Sequence, residues 1–290
     1  MKTWTGFLFS FLLGVFLTAG VFLYFGPYKI FSPGSLPSKQ TLTDKAVSRP
    51  SPDANIREKE APLEEPTMEH LPRVAIVIDD LGGEKHVSQE LLDMNVPLTF
   101  SILPFTPHAR SIAEKAHRKG RDIILHLPME PHGYPKANPG EGALFHAMDE
   151  EKLLRQLSRD IEAVPHVKGV SNHMGSRLME DPKKMKMILS DLKRRGLFFL
   201  DSRTTPQTVG FKIARSLGLR AAEKTLFIDH SQDEKEIKGK IEELIRLSLS
   251  SGKAIGIGHP HPSTIKSLKE MLPKIREKGI EIVPLSALME

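Results

Sequence analysis

The chain has 290 residues, 39% of them hydrophobic and 27% charged, and 41 Lys and Arg against 36 Asp and Glu leave a formal net charge of +5. This is ordinary globular composition, and the basic excess is scattered without a dense block, which argues against nucleic-acid binding and suits an anionic envelope surface at least as well. There is no cysteine, so disulfides, thiolate metal sites and Cys nucleophiles are excluded, and His and carboxylates are the strong metal ligands that remain.

Residues 1–31 form the first segment. No charge falls between Lys2 and Lys29, and residues 6–25 read GFLFSFLLGVFLTAGVFLYF, about the 20 apolar residues that a bilayer-crossing helix needs. Trp4 at one end and Tyr24 and Tyr28 at the other stand where an interfacial aromatic belt would. The apolar run continues beyond the small residues at 18–20, which favours an uncleaved anchor over a cleaved signal peptide. The expected location is therefore extracytoplasmic, periplasmic or at the cell surface, with the chain anchored to the inner membrane or secreted. The membrane and envelope proteins are its expected partners. Residues 32–71 carry six prolines among Ser, Lys and Glu and read as a disordered spacer.

The texture changes at residues 72–290. Residues 74–79 (VAIVID) are a continuous apolar run of the kind buried on both faces of a parallel sheet. Similar runs occupy 97–103, 122–128, 168–174, 197–203, 225–230, 254–261 and 280–288. Amphipathic helical patterns alternate with them at 109–119, 150–163, 182–195, 235–250 and 264–278. Basic residues followed by Gly120, Gly196 and Gly279 mark helix ends. Strand–helix alternation with seven or eight largely parallel strands predicts an α/β fold. A (β/α) barrel is favoured over an open sheet, because polar residues terminate nearly every strand and a barrel brings those ends to one mouth.

Those ends carry the chemistry. Asp79-Asp80, His126, Asn172-His173, Asp201-Ser202-Arg203, Asp229-His230 and His259-Pro260-His261 each close a strand. Carboxylates and imidazoles are costly to bury unless paired or bound to metal. Adjacent strand side chains diverge, so of Asp79 and Asp80 one can ligate a metal while the other stays free as a base. One Asp with two His makes an open divalent-metal set, zinc above all, with a position left for water. There is no Gly-x-Ser-x-Gly elbow, Walker loop or dinucleotide fingerprint. Asp229-His230 is read as structural or at the rim.

Ile78-Asp79-Asp80, the run from His126 to Pro131 (HLPMEP), the run from Ser171 to Ser176 (SNHMGS), Asp201-Ser202-Arg203 and Gly258-His259-Pro260 resemble, in this order, the divergent polysaccharide deacetylases. These are related to the wider NodB-like carbohydrate esterases. The resemblance spans about residues 73–288. It implies a distorted, usually seven-stranded (β/α) barrel, a divalent metal, commonly zinc, and a carbohydrate substrate. In the wider family the first Asp of the pair is the base and the second a ligand, which makes Asp79 the base and Asp80 a ligand here. That family's His-x-x-x-His pair is broken, since Glu130 stands at the second position, and His173 is the candidate replacement beside His126. His259 is the implied general acid; Arg203, at the end of its strand, is a candidate to stabilise the oxyanion beside the metal. Asn172, Ser176, Glu130, Asp201 and His261 are the remaining candidates for contact with substrate or for orienting the ligands. Two other readings stay open at this point: a glycan-binding envelope module without turnover, and another barrel hydrolase such as a phosphodiesterase.

Overall fold

The computed structural model describes residues 71–290. The expected membrane segment and most of the spacer lie outside the described residues. Among the described residues no helix is long and apolar enough to cross a membrane.

Among the described residues, nine strands and seven helices follow in an order that alternates except at β6 and β7: β1 (Arg73–Leu81), α1 (Lys85–Asp93), β2 (Thr99–Ile102), α2 (Ala109–Arg118), β3 (Ile123–Met129), α3 (Glu150–Ala163), β4 (Gly169–Met174), α4 (Pro182–Arg194), β5 (Phe198–Asp201), α5 (Gly210–Ser216), β6 (Ala221–Glu223), β7 (Leu226–Phe227), α6 (Glu234–Ser251), β8 (Lys253–Gly258), α7 (Pro262–Glu277) and β9 (Glu281–Ile282). All pairings are parallel, and the sheet runs β6-β5-β4-β3-β2-β1-β8-β7, with β9 beside the start of β1. This is the curled (β/α) barrel that the alternation predicts. It remains open by hydrogen bonding between β6 and β7. There the chain itself crosses the seam, with Lys224 N bonded to Asp201 O on one side and Thr225 N to Ile255 O on the other, both at 2.9 Å.

The helices begin and end for local reasons. Asp149, Asp181 and Asp233 accept hydrogen bonds from first-turn N–H groups of α3, α4 and α6, satisfying donors that the helix cannot. Gly120, Gly196 and Gly279 all take positive φ just past a basic last turn, as expected. The sequence pattern missed α1, the seven-residue α5 and the three-residue β6. It also overran the last strand, where only Glu281–Ile282 is extended before a 3-10 turn over Leu285–Leu288.

Strand side chains alternate between two cores. Ile76, Ile78, Phe100, Leu125, Leu127, Val170 and Phe199 face the helices in the larger one. Ala75, Val77, Ile124, Phe198, Leu200, Ile255 and Ile257 fill the barrel interior, and Leu285 and Leu288 join them as a plug. The plug is tied down by polar groups: Leu285 N donates to Thr99 Oγ1 at 3.1 Å, and Ser286 N to the buried Asp122 carboxylate at 2.8 Å, which also takes Lys168 Nζ at 2.7 Å. The interior phase matters most, because continuing it along each strand leads to the mouth.

Gly169 faces the interior directly beside Phe198, and a Cβ there would lie 2.3 Å from that ring. Phe198→Ala should destabilise the fold by about 3–5 kcal/mol. Gly169→Ala should cost about 1–3 kcal/mol alone and much less in the Phe198→Ala background. Equilibrium denaturation of the four proteins tests the coupling, and additive losses would contradict the packing described.

Candidate active site

The site is built on the interior phase of five strands. Following Ala75 and Val77 comes Asp79; following Ile124 comes His126; Ser101, Ser171 and His173 occupy the same phase on β2 and β4; and His259 follows Ile255 and Ile257. Asp80 should point the other way. It does not, because β1 is bulged: Ile78 pairs with Phe100 but Leu81 with Ile102, three steps against two, and Asp80 takes a φ of 57°. The extra residue turns Asp80 back toward the mouth. The adjacent carboxylates therefore converge instead of diverging as a regular strand predicts.

They converge on one imidazole. Asp79 Oδ1 lies 3.5 Å from His126 Nδ1, and Asp80 Oδ1 lies 3.1 Å from His126 Nε2. His173 Nδ1 completes a triangle, 3.0 Å from Asp80 Oδ1 and 3.1 Å from His126 Nε2. Both carboxylate Oδ1 atoms are buried without an aligned hydrogen bond. Donor atoms at these separations, one anionic and two imidazole, fit a divalent ion, since bonds near 2.0 Å in a tetrahedral arrangement need edges of about 3.3 Å. Asp80, His126 and His173 are the group among the described residues that could hold a metal.

A buried chain of hydroxyls fixes the orientation. His126 Nδ1 is 2.9 Å from Ser171 Oγ, and Ser171 Oγ is 3.0 Å from Ser101 Oγ; Ser101 lies beside the Asp79 carboxylate and helps to stabilise its charge. His126 Nδ1 faces both Ser171 Oγ and, at 3.5 Å, the Asp79 carboxylate, an acceptor that favours the proton on Nδ1. That tautomer leaves the His126 Nε2 lone pair facing Asp80 and His173, as a ligand requires. Ser101 and Ser171 are fully buried. Ser171 opens the SNHMGS run, whereas the only signal of Ser101 in the sequence is its in-phase placement on β2.

The two aspartates are driven apart electrostatically. Burial raises the Asp79 pKa, against the opposing pull of His126, Ser101 and His259. Burial also works against the Asp80 carboxylate, but the close approach and charge of His126 and His173 hold its pKa far below the ordinary range. Such a split marks one group for proton transfer and the other for permanent charge.

Asp229 has a larger part than its position at a strand end suggested. Its Oδ1 lies 2.9 Å from His259 Nδ1, and its Oδ2 accepts from His259 N at 2.6 Å and Thr264 Oγ1 at 2.7 Å. Burial pulls the His259 pKa down, but the hydrogen bond and charge of Asp229, with Asp79 and Asp80 behind, push it up to about 9. His259 is thus held as an imidazolium with its Nδ1 occupied. His230 and His261 sit at the rim, against Phe227 and His259 respectively.

Other expected site residues are drawn into the scaffold. Asn172, on the outward phase of β4, accepts from Ser202 N and donates to Met174 O and Thr204 Oγ1. Asp201, outward on β5, accepts from Arg203 N, Thr208 Oγ1 and Phe211 N, holding the loop into α5. Glu130 accepts from Arg177 Nη1 at 2.7 Å and His146 N at 2.6 Å, and Ser176 Oγ accepts from His132 N at 3.0 Å. These contacts pin the long β3–α3 loop. Arg203 stands half exposed at the end of β5 with a φ of 48°, 3.6 Å from Glu223.

The family model for divergent polysaccharide deacetylase matches residues 76–289. The chain belongs to that family. It is 34% identical over 217 residues to the uncharacterized protein YibQ of Escherichia coli K12, covering 75% of this chain and 67% of that one. An uncharacterized protein of Haemophilus influenzae is 33% identical over 216 residues, covering 74% and 76%. Among solved structures, an uncharacterized protein of Agrobacterium tumefaciens C58 superposes with a TM-score of 0.73 at 28% identity, covering 75% of this chain and 89% of that one. The peptidoglycan N-acetylglucosamine deacetylase Bc1960 has a TM-score of 0.50 at 15% identity, covering 76% and 88%, a likeness of fold.

Ser171→Ala should lower affinity for a divalent ion about 10- to 100-fold, because it releases the His126 tautomer. Competition against a chelator measures this, with circular dichroism to check the fold; unchanged affinity would dismiss the hydroxyl chain as a determinant.

Proposed function

We propose that this chain is a metal-dependent hydrolase that removes N-acetyl groups from an envelope polysaccharide, carried outside the cytoplasm and tethered by its apolar N-terminal segment. The observation that carries the reading is the pair of neighbouring carboxylates on opposite nitrogens of one buried imidazole, one of them completing a two-His ligand triangle. The family membership supports a carbohydrate amide as the target. The uncharged apolar run at residues 6–25 supports the location.

Asp80, His126 and His173 would hold the ion, with zinc the best match to the donor set. When bound, the ion would polarise the acetamide carbonyl and lower the pKa of a coordinated water toward about 7. Asp79 accepts the proton of the attacking water, its raised pKa bringing it closer to the working pH. His259, oriented and kept protonated by Asp229, delivers a proton to the departing amine nitrogen. Arg203 adds positive charge at the mouth on the side of the developing oxyanion. The products are acetate and a free sugar amine.

Amine and acetate release from N-acetylated glycan oligomers by the metal-loaded protein is the direct test. Asp79→Asn should lower kcat by about 10²- to 10⁴-fold while the protein still binds one metal; turnover at the parent rate would remove Asp79 as the base. Stoichiometric metal without any release would instead leave a glycan-binding module on the same fold.

The pH profile gives a separate check. The donor must be protonated, so activity should persist until pH rises through the His259 pKa, which the fold sets at about 9. Asp79 must be ionised, so the acid limb should lie above the ordinary carboxylate range. Asp229→Asn removes what lifts the His259 pKa and should move the alkaline limb down by at least about one unit. An unmoved limb would assign it to another group.

A further inference from the structure

Acetamide hydrolysis leaves one charged group at the mouth without a task. Lys224 lies where the chain crosses the open seam between β6 and β7, its backbone N held by Asp201 O at 2.9 Å. Its ammonium sits 3.5 Å from the centroid of the Phe227 ring. The same ring stacks on His259, with centroids 5.9 Å apart and planes 25° from parallel. One aromatic ring therefore lies between the ammonium and the proposed proton donor, neighbouring both.

The ammonium is half-buried, and among the described residues it forms no ion pair; its polar surroundings are dominated by another cation. Arg203 is close enough to repel it, and that guanidinium has its own nearest carboxylate, Glu223, at 3.6 Å. Burial, then Arg203, pulls the Lys224 pKa down to about 8, with Asp201 and Asp79 opposing. At neutral pH this is still a charged group, partly stripped of water and lacking a counter-ion. A purely structural lysine on a seam would turn its flexible stem outward and keep its hydration. The Phe227 face attracts the ammonium, but partial desolvation beside an arginine costs free energy that an anion brought by a ligand would return.

We propose that Lys224, flanked by Arg203, is an anion subsite that reads a carboxylate or phosphate carried by the acetylated sugar close to its acetamide. The claim rests on the sugar reading given above and narrows it: the substrate is an acidic glycan, and neutral N-acetyl sugars are poor ligands. Lys224 then acts in recognition, and the chemical step belongs to the metal triangle, Asp79 and His259, with Arg203 lending charge to both.

The test measures binding without turnover, so that it can fail independently of the hydrolase reading. Full-length protein is titrated with N-acetylglucosamine, N-acetylmuramic acid and N-acetylglucosamine 6-phosphate, with inorganic phosphate as the sugar-free probe. Both acidic sugars, or one of them, should bind about tenfold or more tightly than the neutral one, and the one that does identifies the anion as carboxylate or phosphate. Lys224→Gln should bring the acidic sugars to the neutral affinity, leave the neutral sugar and metal affinity unchanged, and be rescued by Lys224→Arg. Should the Gln variant fold poorly, the parent protein still decides, because the preference should largely vanish at about 0.5 M salt if the site is open to screening. Equal binding of neutral and acidic sugars, or a preference that survives both Lys224→Gln and high salt, would overturn the proposal. Acidic-sugar preference in a protein that releases no acetate would keep the subsite and discard the hydrolase.

Discussion

The site depends on a buried imidazole held between two carboxylates of opposite character. His126 meets Asp79 at one ring nitrogen and Asp80 at the other, and only a bulge in β1 lets consecutive residues do this. Without it, Asp80 would face the helices and both its charge and the ligand triangle would be lost. Two carboxylates in so small a volume repel one another, and each keeps a buried oxygen without an aligned partner. A dication relieves both defects together, which is why the arrangement reads as a metal site and not as a structural ion-pair network.

Much of this was legible in the residues, and the limits follow from period and length. Long apolar strands and amphipathic helices fixed the barrel, since burial on both faces leaves an unmistakable run. Elements of a few residues, such as β6 and α5, carry too few positions to show a period, and their neighbours impose them. At the site, grouping the strand ends found Asp79, Asp80, His126, His173 and His259 but treated their neighbours alike. The phase of the alternation separates them. Ser171 and His173 face the interior and Asn172 does not; Leu200 faces the interior and Asp201 does not. The outward polar residues brace loops and helix starts, while the inward ones reach the mouth. Asp80 is the exception that the phase cannot predict, because a bulge is a defect in the alternation itself.

Asp229 shows a different limit. Strand β7 has only two residues, so no phase extends to position 229, and nothing in the local sequence distinguishes a rim aspartate from one that orients a histidine. Its partner His259 comes from the neighbouring strand, and the pairing is a tertiary fact. The consequence is chemical: an imidazole with its Nδ1 tied to a carboxylate can present only its other nitrogen to a leaving group, and it stays protonated where a free histidine would not.

The broken His-x-x-x-His pattern need not mean a lost ligand. Position 130 lies just past the end of β3, where its backbone pairs with Leu144 and its carboxylate with Arg177 and the His146 amide. That carboxylate is committed to anchoring the β3–α3 loop. The neighbouring strand offers an alternative: Ser171 pairs in register with His126 and His173 with Pro128, so His173 stands one inward step beyond the residue that orients His126. Its imidazole reaches Asp80 and His126 from the adjacent strand. On the proposed reading a ligand on β4 would complete the triangle in place of one on β3, because parallel strands in register keep the same phase, and Glu130 is then free to brace the β3–α3 loop.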